Sequence, residues 1–64
     1  MNIGYYIAEI EKKLTKLGLN IDQNVEYNSI FDETDDNKML RKLKVLNESL
    51  NKEIGSKEMD GQNE

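Results

Sequence analysis

The chain has 64 residues, a formal net charge of −4 at pH 7, and neither cysteine nor histidine, and this length allows one small domain. The missing residue types exclude a disulfide framework and the usual zinc site with cysteine and histidine ligands. The acidic balance argues against a dedicated nucleic-acid binder, because phosphate contacts need a basic surface.

The N-terminal sequence has no targeting signal. No stretch approaches the apolar length of a membrane span, and no basic segment followed by an apolar one opens the chain. The sequence starts at Met1 and carries no tag. We therefore expect a complete cytoplasmic product that makes no membrane contact.

The first predicted element is a helix over residues 2–17. Apolar side chains recur there at steps of four, three, four and three residues, which places them on one stripe of an α-helix. The stripe consists of Ile3, Ile7, Ile10, Leu14 and Leu17. Tyr6 lies on its flank, and Glu9 and Lys13 have the spacing of an i, i+4 ion pair on the exposed side.

Both ends of this helix have recognisable signals. Asn2 is expected to cap the start, because asparagine is a preferred residue at that position. Gly18 is expected to end the helix in a Schellman turn, which would fold Leu19 back onto Leu14.

Residues 19–31 fit two alternatives. Apolar residues fall on alternate positions around a polar turn, which is typical of a short β-hairpin. An isolated two-stranded ribbon is weakly stable in water, and the interrupting asparagine and aspartate residues favour turns. We therefore favour an ordered loop that covers the end of a helical hairpin with Val25, Tyr27, Ile30 and Phe31.

A second helix is predicted over residues 34–54. Its apolar stripe has nearly the same spacing as the first and consists of Met39, Leu43, Leu46, Leu50 and Ile54. Thr34 or Asp35 is expected as the cap, next to carboxylates that complement the helix dipole. Gly55 is expected as the stop.

These elements predict an all-α fold, a helical hairpin over residues 1–55. Residues 56–64 are polar and lack an apolar period, so we expect a disordered tail there. A core this small is marginal for one chain. We therefore expect a dimeric helical bundle and assign the ten stripe residues to its core or dimer interface.

The acidic segment from Asp32 to Asp36 raises the question of a divalent cation. A calcium loop of the EF-hand type needs glycine at its sixth position and glutamate at its twelfth. Counted from Asp32, these positions hold Asn37 and Leu43, and the register from Asn20 fails at the same two positions. Helix capping is the better interpretation, and no metal site is predicted.

No catalytic residue and no cofactor are predicted. The serines have no histidine to activate them, and there is no glycine-rich phosphate loop. The basic residues of the second helix spread around most of its polar circumference at about 100° per residue, which is typical of a solvated face. These residues are Lys38, Arg41, Lys42 and Lys44.

One short stretch, residues 47–51, resembles a known motif. In its helical setting it is similar to the Ser-Gln-Glu-Leu-Asp-type motif of small bacterial aspartyl-phosphate phosphatases. Asn47 and Asn51 stand where that family has its serine and its aspartate. The segment between the two helices is also longer than in that family. The resemblance implies a third, weaker hypothesis, namely action on the phospho-aspartate of a response regulator with Glu48 in the site.

The leading hypothesis is a small non-enzymatic interaction or regulatory protein that binds a larger protein and modulates it, such as a phage-encoded or bacterial inhibitor or antirepressor. Apolar residues off the stripes are the candidates for partner binding, because one helix face cannot serve both core and partner. They are Tyr5, Leu40 and Val45. The alternative is a small nucleic-acid-binding dimer that uses lysines of the second helix.

Overall fold

The computed structural model describes the backbone of residues 2–62 and the side chains of residues 2–57. Helix α1 spans Ile3–Lys16, α2 spans Val25–Ile30 and α3 spans Asp36–Gln62, with no strand in the described range. Helix α3 packs against both others. The all-α prediction is confirmed, and so are its two main helices. No helix in the described part of the chain is both long enough and apolar enough to cross a membrane.

Helix α1 ends as predicted, but its start differs. The Asn2 side chain makes no capping hydrogen bond, so the prediction of a side-chain cap is wrong. At the other end, Leu19 N donates to Leu14 O at 2.9 Å and Gly18 N donates to Thr15 O at 3.0 Å. Together with a φ of 76° at Gly18, this is the predicted Schellman turn. The Leu19 side chain nevertheless stays 43 % exposed.

The segment between the two long helices contains α2, so both the β-hairpin and the favoured loop are wrong at this point. The Asn24 side chain accepts a hydrogen bond from Tyr27 N at 2.8 Å and caps the short helix. Asn28 Nδ2 donates to Ile21 O at 2.9 Å and to Asn24 O at 2.8 Å, which ties α2 to the preceding turn. Residues that we interpreted as turn formers therefore cap and brace a helix.

Two of the four side chains predicted to cover the hairpin do so. Tyr27 and Ile30 are three residues apart on one face of α2 and are buried against the long helices. Val25 is 80 % exposed and Phe31 is 42 % exposed, so the prediction is wrong for both. The cause is the helical period, which turns Val25 away from the side that carries Tyr27.

Helix α3 runs further than predicted. A glycine that stops a helix usually adopts a positive φ, and among the described residues Gly18 is the glycine that does so. Gly55 continues the helix, which extends to Gln62, so the predicted stop at Gly55 is wrong. The predicted tail of residues 56–64 is therefore helical up to 62, and residues 63 and 64 lie outside the described range.

The acidic segment builds the start of α3. Met39 N donates to Asp35 O at 2.9 Å, so Asp35 is the residue from which the first turn begins. Glu33 Oε2 accepts from Asp35 N at 3.2 Å and Glu33 Oε1 accepts from Lys42 Nζ at 3.1 Å. Both bonds hold the pKa of Glu33 below its ordinary value. The bond from the Asp35 backbone contributes most, and the bond from Lys42 comes next. Glu33 thus links the loop to α3.

The core lies where the three helices meet. Its buried residues are Ile10, Leu14, Tyr27, Ile30, Leu43, Leu46 and Leu50. Half-buried residues pack around them: Ile3, Tyr6, Ile7, Leu17, Ile21 and Met39. Nine of the ten stripe residues, five buried and four half-buried, therefore pack inside a single chain, whereas Ile54 is half-buried outside this cluster. Their use as a dimer interface stays a prediction.

Candidate binding groove

The three residues predicted for partner binding lie on separate parts of the surface. Val45 is 61 % exposed on α3 beside α2. Leu40 is half-buried and shares a shallow groove with Arg41. Tyr5 is 59 % exposed on α1, where its ring meets that of Tyr6 edge to face at a centroid distance of 5.2 Å. The structure does not bring the three together into one site.

The surroundings of Val45 form a groove between α2 and α3, which we call the α2–α3 groove. It has a volume of about 340 Å³ and is lined by Glu26, Ser29, Ile30, Arg41, Lys42, Val45 and Leu46. Ile30 and Leu46 are core residues, so the floor of the groove is apolar. Val45 precedes Leu46 and is therefore turned about 100° from the buried stripe, which puts it at the rim.

The two rims of the groove carry opposite charges. Glu26 lies on the α2 rim, and Arg41 and Lys42 lie on the α3 rim. Lys42 is paired with Glu33 at 3.1 Å and its side chain stays 52 % exposed. The side chains of Glu26 and Arg41 are exposed and form no ion pair with any residue that the structure describes. Each of these two charges is therefore available to an external partner.

Beyond the groove, α2 carries one further exposed apolar side chain. Ser29 also lines a second groove, which includes Val25 and Asn28. Val25 and Ser29 are one helical turn apart and so share a face of α2. The Ser29 hydroxyl donates to Glu26 O at 3.0 Å, so it is already used by the helix backbone. The exposed Val25 side chain thus adds apolar surface to this face of α2.

Ionisable groups with shifted pKa values often mark functional sites, but the shift of the Tyr27 pKa has a structural explanation. Its hydroxyl donates to Glu11 Oε2 at 2.6 Å. Burial, followed by this bond to a carboxylate, raises the pKa of Tyr27 well above its ordinary value of 10.0. The bond joins α2 to α1 inside the fold, so Tyr27 positions the groove and does not line it.

A metal centre has no support in the described part of the chain, where no three acidic, histidine or cysteine side chains converge as ligands. The carboxylates of the segment before α3 serve other roles. Glu33 accepts hydrogen bonds from Asp35 N and Lys42. Asp35 provides the first backbone acceptor of the helix. These contacts agree with helix capping as the interpretation of the acidic segment.

Sequence reasoning missed the α2 side of the groove, because it assigned Glu26, Ser29 and Ile30 to a loop. A signal was present. Asn24 precedes Tyr27 and Ile30 at successive steps of three residues, which fits an N-cap followed by one helical face. Strand-like alternation over the same residues masked that pattern.

No protein-family model, curated protein or solved structure matches this chain. Its function therefore has to be inferred from its own surface.

Proposed function

We propose that this chain is a small non-enzymatic interaction or regulatory protein, which binds a larger protein in the α2–α3 groove and changes that protein's activity. The single observation behind the proposal is an exposed apolar residue, Val45, beside an apolar floor whose two rims carry unpaired charges of opposite sign. Apolar surface rimmed by polar groups is typical of protein-binding sites. An inhibitor or antirepressor of phage or bacterial origin is the class that we propose.

The composition of the groove favours a peptide or helix as the bound element. An apolar strip in a groove between helices receives the apolar side chains of an amphipathic helix. Glu26 on one rim and Arg41 on the other would fix the direction of that helix, because charge complementarity contributes mainly to specificity and association rate. Leu40 and Tyr5 lie outside this groove and would each serve only a separate, second contact with the partner.

We further propose that the protein acts in the cytoplasm as a homo-oligomer, a dimer. The absence of cysteine fits a reducing compartment. Ile10, Leu14 and Leu43 have no exposed surface in the single chain, so a dimer that keeps this fold has to use other residues.

The test compares two substitutions that place the same residue on the same helix. Val45→Lys puts a charge at the groove, whereas Ser56→Lys puts it at an exposed position six residues past Leu50. Tagged variants would capture partners from a lysate of the native host, and binding to the purified partner would then be measured by calorimetry. We expect Val45→Lys and Arg41→Ala to weaken binding about tenfold or more, while Ser56→Lys leaves it unchanged.

Circular dichroism of each variant separates lost binding from lost folding. If Val45→Lys retains its helicity and binds the partner as tightly as the wild type, the groove is not the binding site. If the captured partner is an enzyme whose rate is unchanged by saturating wild-type protein, the regulatory part of the proposal is wrong.

The nucleic-acid alternative rests on exposed basic residues of α3, namely Arg41, Lys42 and Lys44. Against it, Lys42 is already paired with Glu33, and the net charge of −4 opposes phosphate binding. In a nucleic-acid binder, Lys44→Ala would weaken binding to nucleic acids of any sequence. It would also lower the slope of log affinity against log salt concentration by about one. Such a protein would tolerate Val45→Ser, so the two variants distinguish the alternatives.

A further inference from the structure

A further groove lies on α3, and we call it the Leu40 groove. It has a volume of about 380 Å³ and is lined by Asn37, Leu40, Arg41 and Lys44. Leu40 is half-buried, whereas the other three residues are exposed. Steps of three and four residues place all of them on one face of the helix. This face therefore offers one apolar side chain surrounded by polar ones.

The two cations of the Leu40 groove have no acidic partner in the described part of the fold. Arg41 and Lys44 are exposed and form no ion pair with any residue that the structure describes. The other two basic residues in the first half of α3 lie near Glu33. Lys42 Nζ bonds to Glu33 Oε1 at 3.1 Å, and the charge of Lys38 helps to hold the pKa of that carboxyl below its ordinary value. The Leu40 groove thus keeps two positive charges for an external ligand.

Acidic side chains limit this positive surface at both ends. Asp36 lies one turn before Leu40, and Glu48 lies one turn after Lys44. Along α3 the order of charges is therefore negative, positive, positive, negative. A ligand with two negative charges fits between the acidic residues. A long anionic chain such as a nucleic acid would extend onto Asp36 or Glu48 and be repelled there.

The spacing of the two cations matches two carboxylates on a helix. Arg41 and Lys44 are three residues apart, and side chains at that spacing are neighbours on a helix surface. A guanidinium binds a carboxylate through two parallel N–H donors, and a lysine ammonium acts as a point charge. Acidic residues one turn apart in a partner helix would therefore reach one cation each, and an apolar residue beside them would cover Leu40.

We propose that the Leu40 groove binds an acidic helical segment of a protein, which places two carboxylates one turn apart on Arg41 and Lys44 and an apolar side chain on Leu40. This site rests on the proposed function in one respect, namely that the chain binds a protein. It adds the chemical class of the bound segment. The charges at such an exposed site contribute mainly to the specificity and the rate of association.

Arg41 connects the Leu40 groove to the α2–α3 groove, because it lines both. A carboxylate on Arg41 would let one partner occupy the two grooves together. Glu26 lies on the far rim of the α2–α3 groove. The acidic residues of the partner should therefore face the Leu40 groove, and a basic residue should face Glu26.

The first experiment uses three synthetic probes. Two are helix-forming peptides of alanine and glutamine, about 15 residues long so that an isolated helix can form. Each carries one leucine, and one of them has two glutamates, one turn apart, in place of two glutamines. The third probe is a single-stranded DNA oligonucleotide of the same length. Amide chemical shifts of isotope-labelled protein, followed during titration, give the dissociation constant and the location of each probe.

We expect the glutamate peptide to shift the amides of the residues that line the Leu40 groove. At low salt its dissociation constant should be about fivefold to tenfold lower than that of the glutamine peptide, since two exposed ion pairs contribute modestly. Salt at about 0.5 M should remove most of this difference by screening. Equal constants for the two peptides, or no shift at millimolar peptide, would overturn the proposal. So would tighter binding of the DNA at these residues, because the groove would then be a phosphate site.

A matched pair of variants separates position from net charge. Lys44→Gln and Lys52→Gln remove the same charge from exposed positions of α3. We expect Lys44→Gln to weaken binding of the glutamate peptide about threefold and to leave the glutamine peptide unchanged, whereas Lys52→Gln changes neither. Equal weakening by both variants would show that net charge alone attracts the peptide, which contradicts a site at the groove. Circular dichroism of both variants monitors folding, which these exposed substitutions should not alter.

Charge reversal gives an independent readout. Lys44→Glu should bind the glutamate peptide more weakly than the wild type does, and should bind a peptide with one glutamate changed to lysine more tightly than the wild type does. A variant that keeps the preference of the wild type would show that Lys44 does not contact the peptide.

The partner captured for the α2–α3 groove distinguishes the two proposals. If Val45→Lys weakens binding to that partner and Lys44→Gln does not, the α2–α3 groove is the site and the acidic segment is wrong. If Lys44→Gln weakens binding and Val45→Lys does not, the Leu40 groove is the site and the assignment of the partner to the α2–α3 groove is wrong.

Discussion

The α1–α3 pair and the short helix α2 are stabilised by different interactions. In the pair, a heptad stripe on each helix removes Ile10, Leu14 and Leu43 from solvent completely. Helix α2 has six residues, too few for an isolated helix to be stable, and it depends on an Asn24 cap and on two buried anchors. Apolar periodicity therefore determines a long helix, whereas local polar bonds and a few tertiary contacts determine a short one.

This difference bears on function, because the candidate groove exists only where the two regions meet. Val45 and Arg41 belong to the stable pair, but Glu26, Ser29 and Ile30 belong to α2. Loss of α2 packing would remove one rim and part of the floor. The groove should therefore respond to changes in α2 that leave the long helices intact.

The largest effect is expected from breaking the pair itself. Leu14→Ala removes a fully buried side chain and should cost about 2 to 5 kcal/mol of the free energy of unfolding. That is comparable to the whole stability of a small domain. The neighbouring Thr15→Ala changes an exposed residue and should stay within about 0.5 kcal/mol. Urea melts followed by circular dichroism measure both, and equal midpoints for the two variants would contradict the observed core.

The next effect concerns the link between α2 and α1. Tyr27→Phe keeps the buried ring but removes the hydroxyl that donates to Glu11 at 2.6 Å. Hydrogen bonds to charged groups contribute about 1.5 to 3 kcal/mol, and a loss in that range is expected. Tyr5→Phe is the control, because Tyr5 is 59 % exposed and should change the urea midpoint little.

The same pair of variants tests a pH dependence. Burial and the Glu11 bond raise the pKa of Tyr27 above 10.0, so the folded chain retains a proton that the unfolded chain releases near that pH. Its contribution to stability is full below about pH 10 and is lost as the pH rises further. Urea midpoints from about pH 9 to about pH 11 should fall in the wild type and in Tyr5→Phe, and fall less in Tyr27→Phe.

The two regions also differ in how far the sequence predicts them. Nine of the ten stripe residues pack in or against the core, because the helical period of 3.6 is visible in the sequence. Helix α2 was missed because an asparagine side chain bonds to nearby backbone N–H groups in a turn and in an N-cap alike. Asn24 alone therefore does not show whether a turn or a helix follows. The burial of Tyr27 and Ile30 decides between the two.

The candidate site could be predicted only in part. The sequence identified Val45 as an apolar residue off the stripe, and its side chain is exposed in the structure. Its neighbours Glu26 and Ser29 depend on where α2 docks, which the spacing along the chain does not encode. Tyr5 and Leu40 were identified by the same rule, yet they lie elsewhere, since periodicity defines the faces of one helix and not the rotation of one helix relative to another.

A smaller effect is expected from the cap of α2. Asn24→Ala removes the acceptor for Tyr27 N and should cost about 1 kcal/mol. Gln23→Ala, at the preceding exposed position, is the control. Amide hydrogen exchange should show faster exchange confined to α2 in Asn24→Ala, while the amides of α1 keep their protection. Uniformly faster exchange along the chain would mean that α2 and the long helices unfold as one unit.

Substitutions at two glycines are expected to have effects of opposite sign, and the effect at Gly55 is the smallest of all. Gly18 has a φ of 76°, a conformation that costs other residues about 1 to 2 kcal/mol, so Gly18→Ala should destabilise the chain. Gly55 lies inside α3, and a methyl group there would meet no atom within 4 Å. Alanine in a helix interior is favoured over glycine by about 0.5 to 1 kcal/mol. Gly55→Ala should therefore raise the melting temperature slightly. If it lowers the melting temperature as Gly18→Ala does, the helix stops at Gly55 after all, as the sequence alone had predicted.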